Sequence, residues 1–215
     1  MCVTDYDLYS VPPRRLFVRL ETSDGLVGWG EPVVEGRART VRTAVEGLLD
    51  TSLVGGDPLR VEDHRQTMYR GGLPLRAGPH VGDRRYRPGA VGRSGAVRGR
   101  RGRRDPAGPL ARRRIREVRK AAATAEAYDV ALAPHCPLGP IALASCVQVD
   151  ACSPNALVQE QSLDIHCNET SNVLDYLADP SVFAYRDGYV ELPDGPGLGI
   201  EVDVDVVRER AGDVD

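Results

Sequence analysis

Two polar residues, His135 and Glu160, each follow a short apolar stretch of the sequence, residues 130–133 and residues 156–158. A helix-length segment separates the stretches, which predicts consecutive parallel strands joined by a crossover helix. Active sites of α/β barrels lie at the carboxyl ends of such strands, and neighbouring strands are about 4.8 Å apart. The two side chains could therefore address one ligand, and the spacing alone fits an ordinary solvated histidine and glutamate equally well.

The other histidines give weaker signals. His166 and Cys167 follow Glu160 closely and could border the same pocket, although a solvated loop is the simpler interpretation. His64 is expected on the surface of a helix. His80 lies in a segment of atypical composition, and we assign it no role.

The first 72 residues predict a small α+β unit that begins with a β-hairpin. Apolar residues alternate over residues 16–21, Asp24 and Gly25 supply a two-residue turn, and residues 27–30 form the returning strand.

Two helices are expected after this hairpin. From Arg37 onward, apolar residues recur at helical spacing, which predicts an amphipathic helix. A second helix is expected from Asp57, as the N-cap, with Pro58 at the first helical position, to Arg70.

The segment from about residue 115 onward alternates helix and strand. Strands are expected at residues 130–133 and 156–158, with an apolar helix over residues 141–152 between them. This order predicts a parallel sheet with right-handed crossovers. The preceding helix is marked by Ile115, Val118, Ala122, Ala125 and Tyr128.

Residues 73–114 differ in composition from the rest of the chain. Of these 42 residues, 31 are Gly, Ala, Pro or Arg, and 13 are Arg. A GC-rich gene read out of frame would produce this mixture, because the codons of these residues are rich in G and C. An Arg-rich arm that binds nucleic acid is the alternative, although such arms often interleave aromatic residues and only Tyr86 is present. Either origin predicts a segment without stable structure.

Composition excludes several classes of protein. The chain has no apolar run long enough to span a bilayer and no signal-like block after Met1, so we expect a cytoplasmic protein. Five cysteines without a CxxC pair predict reduced thiols, not a disulfide framework or a structural zinc site. The glycines at residues 28–30 and 195–199 are not interpreted as a phosphate-binding loop, since neither group lies between a strand and a helix.

Local strings at both ends of the chain resemble one family. Residues 9–15 (Tyr-Ser-Val-Pro-Pro-Arg-Arg), 25–40 and 68–72 resemble the capping domain of the galactonate dehydratases in the enolase superfamily, within its mandelate racemase/muconate lactonizing group. Residues 125–144, with Gln-Glu-Gln at 159–161 and Pro-Gly-Leu-Gly at 196–199, resemble the last two βα units and the C-terminal segment of the same enzymes.

This resemblance implies an α/β fold with an α+β cap. Residues 1–72 would form the capping domain, residues 73–114 the anomalous tract, and residues 115–215 an incomplete remnant of a (β/α)7β barrel. The intact enzymes remove the α-proton of a sugar acid, hold the enediolate on Mg²⁺ and expel the 3-hydroxyl to give a 2-keto-3-deoxy acid, chemistry that needs a divalent cation. The implied partners are a small acid-sugar substrate and further copies of the chain, with no membrane and no nucleic acid.

Residue roles follow from the same resemblance. His135 matches the family's general acid/base histidine, and Glu160 matches the glutamate that hydrogen-bonds the carboxylate or enediolate. Arg14 and Arg15 match a loop near the substrate mouth and are candidate specificity contacts.

The family's metal ligands, its second catalytic histidine and the aspartate partner of the His135 counterpart have no match here. We therefore expect no bound Mg²⁺, and a chain that is inactive and prone to misfold, because two strands cannot close a barrel. An Arg-rich nucleic-acid-binding module, or a related racemase or dehydratase, are the alternative functions.

Overall fold

The computed structural model describes residues 1–12, 15–32, 37–70, 97–98, 115–136, 138–161 and 172–212. The chain divides into two compact units. One comprises residues 1–87 with residues 210–215, and the other comprises residues 88–209.

The first unit contains a three-stranded antiparallel sheet in the order β1-β2-β3, formed by Val3–Val11, Arg15–Thr22 and Val27–Gly30. The predicted hairpin is present: Val18 pairs with Gly30 and Glu21 with Val27. Strand β1 was not predicted from the sequence. It pairs with β2 along its whole length. In β2, the consecutive residues Leu16, Phe17 and Val18 are all buried.

Two helices follow the sheet, α1 (Ala38–Ser52) and α2 (Val61–Arg70). Helix α1 is tied to β1 by the Tyr6 hydroxyl, which donates to Asp50 Oδ1 at 2.7 Å. Helix α2 begins later than expected. Asp57 Oδ1 accepts from the Leu59 amide at 2.9 Å, so this residue stabilises a turn that precedes the helix and is not its N-cap.

The second unit contains the consecutive elements α3 (Ile115–Glu126), β5 (Ala131–Leu132) and α4 (Pro140–Ala151). Val118, Ala122, Leu132 and Val149 form a shared core, as the helical spacing predicted, whereas Tyr128 is exposed. The predicted strand at 156–158 is reduced to one parallel bridge between Leu132 and Ala156. Pro134 lacks the N–H that would continue the ladder, so regular pairing stops there.

Residues Val97–Arg98 form the short strand β4, which pairs antiparallel with β5. The expected lack of structure in the Arg-rich tract therefore does not hold at these two positions. The other residues of the tract lie outside the described part of the chain.

The rest of the second unit contains two 3-10 helices, the hairpin β6-β7 and helix α5. Gln148 Nε2 on α4 donates to the carbonyls of Pro193 and Leu198 at 3.2 and 3.4 Å. These two hydrogen bonds hold the loop that contains residues 193–198 against α4. Gly199 in this loop is required as glycine: its φ is +76°, and a Cβ would lie 2.5 Å from Pro193 Cβ. The elements are Val173–Tyr176, Pro180–Phe183, Tyr185–Arg186 (β6), Tyr189–Val190 (β7) and Val204–Arg210 (α5).

Candidate functional site

The structure brings His135 and Glu160 into direct contact, with His135 Nδ1 against Glu160 Oε2. The side chains are 29% and 55% exposed, so the pair faces solvent. An ionised carboxylate only accepts hydrogen bonds, so the ring donates from Nδ1. This contact leaves Nε2 as the lone-pair nitrogen of a neutral ring, able to accept a proton from a molecule bound beside it.

Two short loops position the pair. His135 follows β5 directly after the buried Pro134, and Glu160 follows the bridge at Ala156. The backbone amide of Glu160 donates to the Pro134 carbonyl at 3.2 Å. The two side chains are thus presented by adjacent parallel segments, as the order of elements predicted.

Arg15 lies in the first unit, where its Nη1 is 3.8 Å from Glu31 Oε1. The side chains are only 11% and 3% exposed. In this arrangement the guanidinium joins the start of β2 to the residue after β3. Its expected contact with a substrate stays a prediction, and Arg14 lies outside the described residues.

The other sequence candidates are not brought to this pair. His64 is half-buried in the first unit, and its ring nitrogens lie 2.9 and 2.8 Å from the carbonyls of Ser52 and Asp57. His80, His166 and Cys167 lie outside the described residues. Of the four cysteines that the structure describes, Cys136 and Cys146 are buried, Cys2 is partly buried and Cys152 is exposed, all as free thiols.

The described residues do not fit a Mg²⁺ site. They contain no group of three or more His, Cys, Asp or Glu side chains placed to hold a metal ion. Magnesium prefers octahedral oxygen coordination, whereas this pair offers one carboxylate that already accepts from an imidazole.

Asp150 is a partly buried acid outside the contact between His135 and Glu160. Burial raises the pKa of Asp150, on α4, to about 7, and neither carboxylate oxygen has a partner among the described residues. Sequence reasoning missed Asp150, because an apolar pattern does not show which polar position of a helix becomes buried.

Comparison with known proteins identifies the family to which this chain belongs. The N-terminal domain of mandelate racemase/muconate lactonizing enzymes matches residues 12–79, and the enolase C-terminal domain-like family matches residues 114–206. D-galactonate dehydratase from Ralstonia nicotianae is 30% identical over 363 residues, which cover 98% of this chain and 94% of that protein. This chain belongs to the enolase superfamily.

A further relative agrees with this assignment, and solved structures are similar in fold. D-galactonate dehydratase from Xanthomonas oryzae is 30% identical, covering 97% of this chain and 94% of the relative. The mandelate racemase/muconate lactonizing enzymes from Jannaschia and Sulfitobacter are similar in fold. Their TM-scores are 0.65 and 0.66 at 15% and 16% identity, over 100% and 98% of this chain and 99% and 96% of theirs. The chain thus has the α/β fold of its superfamily.

The length of the alignment adds one fact about this enolase-superfamily chain. The alignment with the Ralstonia enzyme spans 363 residues against the 215 of this chain, a difference of 148. The two matched family models are separated by residues 80–113. None of the helices in the described part of the chain is long and apolar enough to cross a membrane.

Proposed function

We propose that this chain derives from a galactonate dehydratase-like enzyme of sugar-acid catabolism and that, as it stands, it has lost the dehydratase reaction. The observation that carries the proposal is the 363-residue alignment of a 215-residue chain. Its two ends align with the two ends of the enzyme, and the difference in length is of the size of several βα units.

The geometry of His135 and Glu160 supports the proposed descent from a dehydratase-like enzyme. In the intact ancestor His135 would act as general acid/base on the sugar acid, and Glu160 would hydrogen-bond the carboxylate or enediolate. In this chain the Glu160 carboxylate contacts the His135 ring. In its neutral form the imidazole therefore has an oriented lone pair on Nε2, which is what accepting a proton from a substrate requires.

The strand pairing around β5 supports the proposed loss of the dehydratase reaction. Strand β5 has a single parallel bridge on one side and the antiparallel strand β4 on the other. Parallel barrels need a consistent strand number and tilt, and the described strands do not supply them. We therefore propose that residues 115–215 are a barrel remnant, without the carboxylates that hold Mg²⁺ in the family.

An activity assay tests the proposal. Purified chain would be incubated with galactonate and Mg²⁺, and formation of a 2-keto-3-deoxy acid measured beside the Ralstonia enzyme as a positive control. We expect no product above the background without enzyme. Mg²⁺-dependent product that disappears in His135→Asn would overturn the proposed inactivity and would place the reaction at this pair.

Reading the other frames of the gene across residues 73–114 tests the origin of the loss. A frame that encodes an apolar helix continuing residues 68–72 is expected. If no frame encodes one, the tract is a selected part of the protein and the proposed loss is wrong in that region.

A further inference from the structure

Gln159 connects the loop that carries His135 to the segment that carries Glu160. Its Nε2 lies 3.2 Å from the Pro134 carbonyl, which also accepts from the Glu160 amide at 3.2 Å. Gln159 directly precedes Glu160, and Pro134 directly precedes His135. The Pro134 carbonyl, directly before His135, therefore accepts hydrogen bonds from both Gln159 and Glu160.

The orientation of this amide is determined by its surroundings. A flipped side chain would set Oε1 against the Pro134 carbonyl, and two acceptors repel, so Nε2 must face it. With Nε2 there, Oε1 is buried and has no partner among the described residues. A buried acceptor without a partner is costly, so the contact of Nε2 with the Pro134 carbonyl is made in spite of that cost.

The position of Gln159 matches the point where the strand ladder ends. The Leu157 amide donates to the Leu132 carbonyl at 2.8 Å, but Pro134 has no N–H with which to return a bond. The Gln159 side chain supplies an additional hydrogen bond just past this interruption. Without it, the Glu160 amide alone would hold the two segments together at the Pro134 carbonyl.

We propose that Gln159 is a positioning residue that keeps Glu160 against Nδ1 of His135 and so fixes the ring in its Nδ1–H form. Its relevance to acid/base chemistry rests on the function proposed for His135. The contact itself does not, because it can be measured in a chain without dehydratase activity.

The test measures the tautomer of the His135 ring in the full chain by ¹⁵N NMR, at a pH where the ring is neutral. The Nδ1–H form is expected to dominate in the unaltered chain. In Gln159→Met, which keeps the length and removes the donor, the ratio of Nδ1–H to Nε2–H should fall about fivefold, the effect of about one hydrogen bond. Gln159→Asn, which retains a shorter amide, should lie between the two.

Gln148→Met is the matched control, since the Gln148 side-chain amide likewise donates to backbone carbonyls, those of Pro193 and Leu198, in another loop of the same unit. This variant should leave the His135 tautomer unchanged. An unchanged tautomer in Gln159→Met, or an equal change in Gln148→Met, would refute the proposal. Should Gln159→Met fail to fold, scalar coupling from Gln159 Nε2 to the Pro134 carbonyl carbon in the unaltered chain decides, and its absence refutes the contact.

Loss of the tautomer effect would leave the proposed ancestry intact. Product in the dehydratase assay would in turn overturn the inactivity and leave the role of Gln159 standing. The two proposals therefore fail by different measurements.

Discussion

Asp150 shows how a single residue can make folding depend on pH. Burial favours its neutral form and raises its pKa to about 7, compared with about 3.9 in an unfolded chain. Between these two values the folded chain binds a proton that the unfolded chain has released. Stability at this site is therefore fully present at acid pH and is lost as the pH rises from about 4 to about 7.

Replacing Asp150 by Asn should remove this dependence, because the amide stays neutral at every pH. We expect the variant to match the unaltered chain near pH 4 and to exceed it near pH 8 by about 1–2 kcal/mol, a reduced value because solvent partly screens the charge. Urea unfolding of both proteins across this range measures the difference.

Asp179→Asn provides the contrasting control. Hydrogen bonds from the Ser181 hydroxyl and amide lower the pKa of Asp179, so its contribution is present at neutral pH and is lost as the pH falls. The two variants should therefore show opposite trends relative to the unaltered chain. Parallel trends would contradict the burial of the Asp150 carboxyl.

At the scale of elements, His64 and Gly56 hold the connection between α1 and α2. The ring contacts the carbonyls of Ser52 and Asp57, and a Cβ at Gly56 would lie 2.6 Å from His64 Cε1. The sequence predicted a surface histidine here. It missed the contact because the loop that folds back over the ring is set by tertiary packing.

The two residues should behave as a coupled pair. His64→Ala is expected to cost about 1–2 kcal/mol of unfolding free energy, since the ring N–H no longer donates to a backbone carbonyl and the contacts of the ring are lost. Gly56→Ala should be clearly more destabilising in the unaltered chain than in His64→Ala, because the clash with the ring is then removed and only the Leu53 carbonyl oxygen, 3.1 Å from the added Cβ, stays close. A double-mutant cycle by urea unfolding measures this coupling. Thr67→Ala, an exposed change on α2, is the control, and additive effects would contradict the close approach.

At the scale of the whole molecule, apolar side chains are exposed beside the parallel bridge of the second unit. Leu157 and Val158, next to the Ala156 bridge, are 67% and 60% exposed. In a strand position this exposure presents both apolar surface and backbone groups to other molecules. We expect the purified chain to self-associate through this segment.

Leu157→Lys should reduce self-association, since a charge at a sheet edge opposes pairing with another chain. Sedimentation velocity at matched concentrations measures the effect. Leu59→Lys is the matched control: Leu59 is 76% exposed but lies in a turn of the first unit, so this change should leave association unaltered. Equal reduction by both variants would show that net charge, not the segment, governs association.

Local patterns in the sequence predicted much of the fold. The hairpin of β2 and β3, the three longer helices α1, α3 and α4, and the side-by-side placement of His135 and Glu160 all followed from periodicity and element order. These features depend on interactions within a few residues or on the fixed geometry of a βα unit, which the order of residue types records.

Other features were decided only by the tertiary structure. The end of the ladder at Pro134, the direction of the Gln159 amide and the burial of Asp150 each depend on which distant segment lies opposite. A polar residue carries the same signal in the sequence whether water or a carbonyl faces it. The sequence by itself determined that His135 and Glu160 follow neighbouring parallel segments, and only the tertiary structure decided that they pair with each other, because side-chain partners are set by packing.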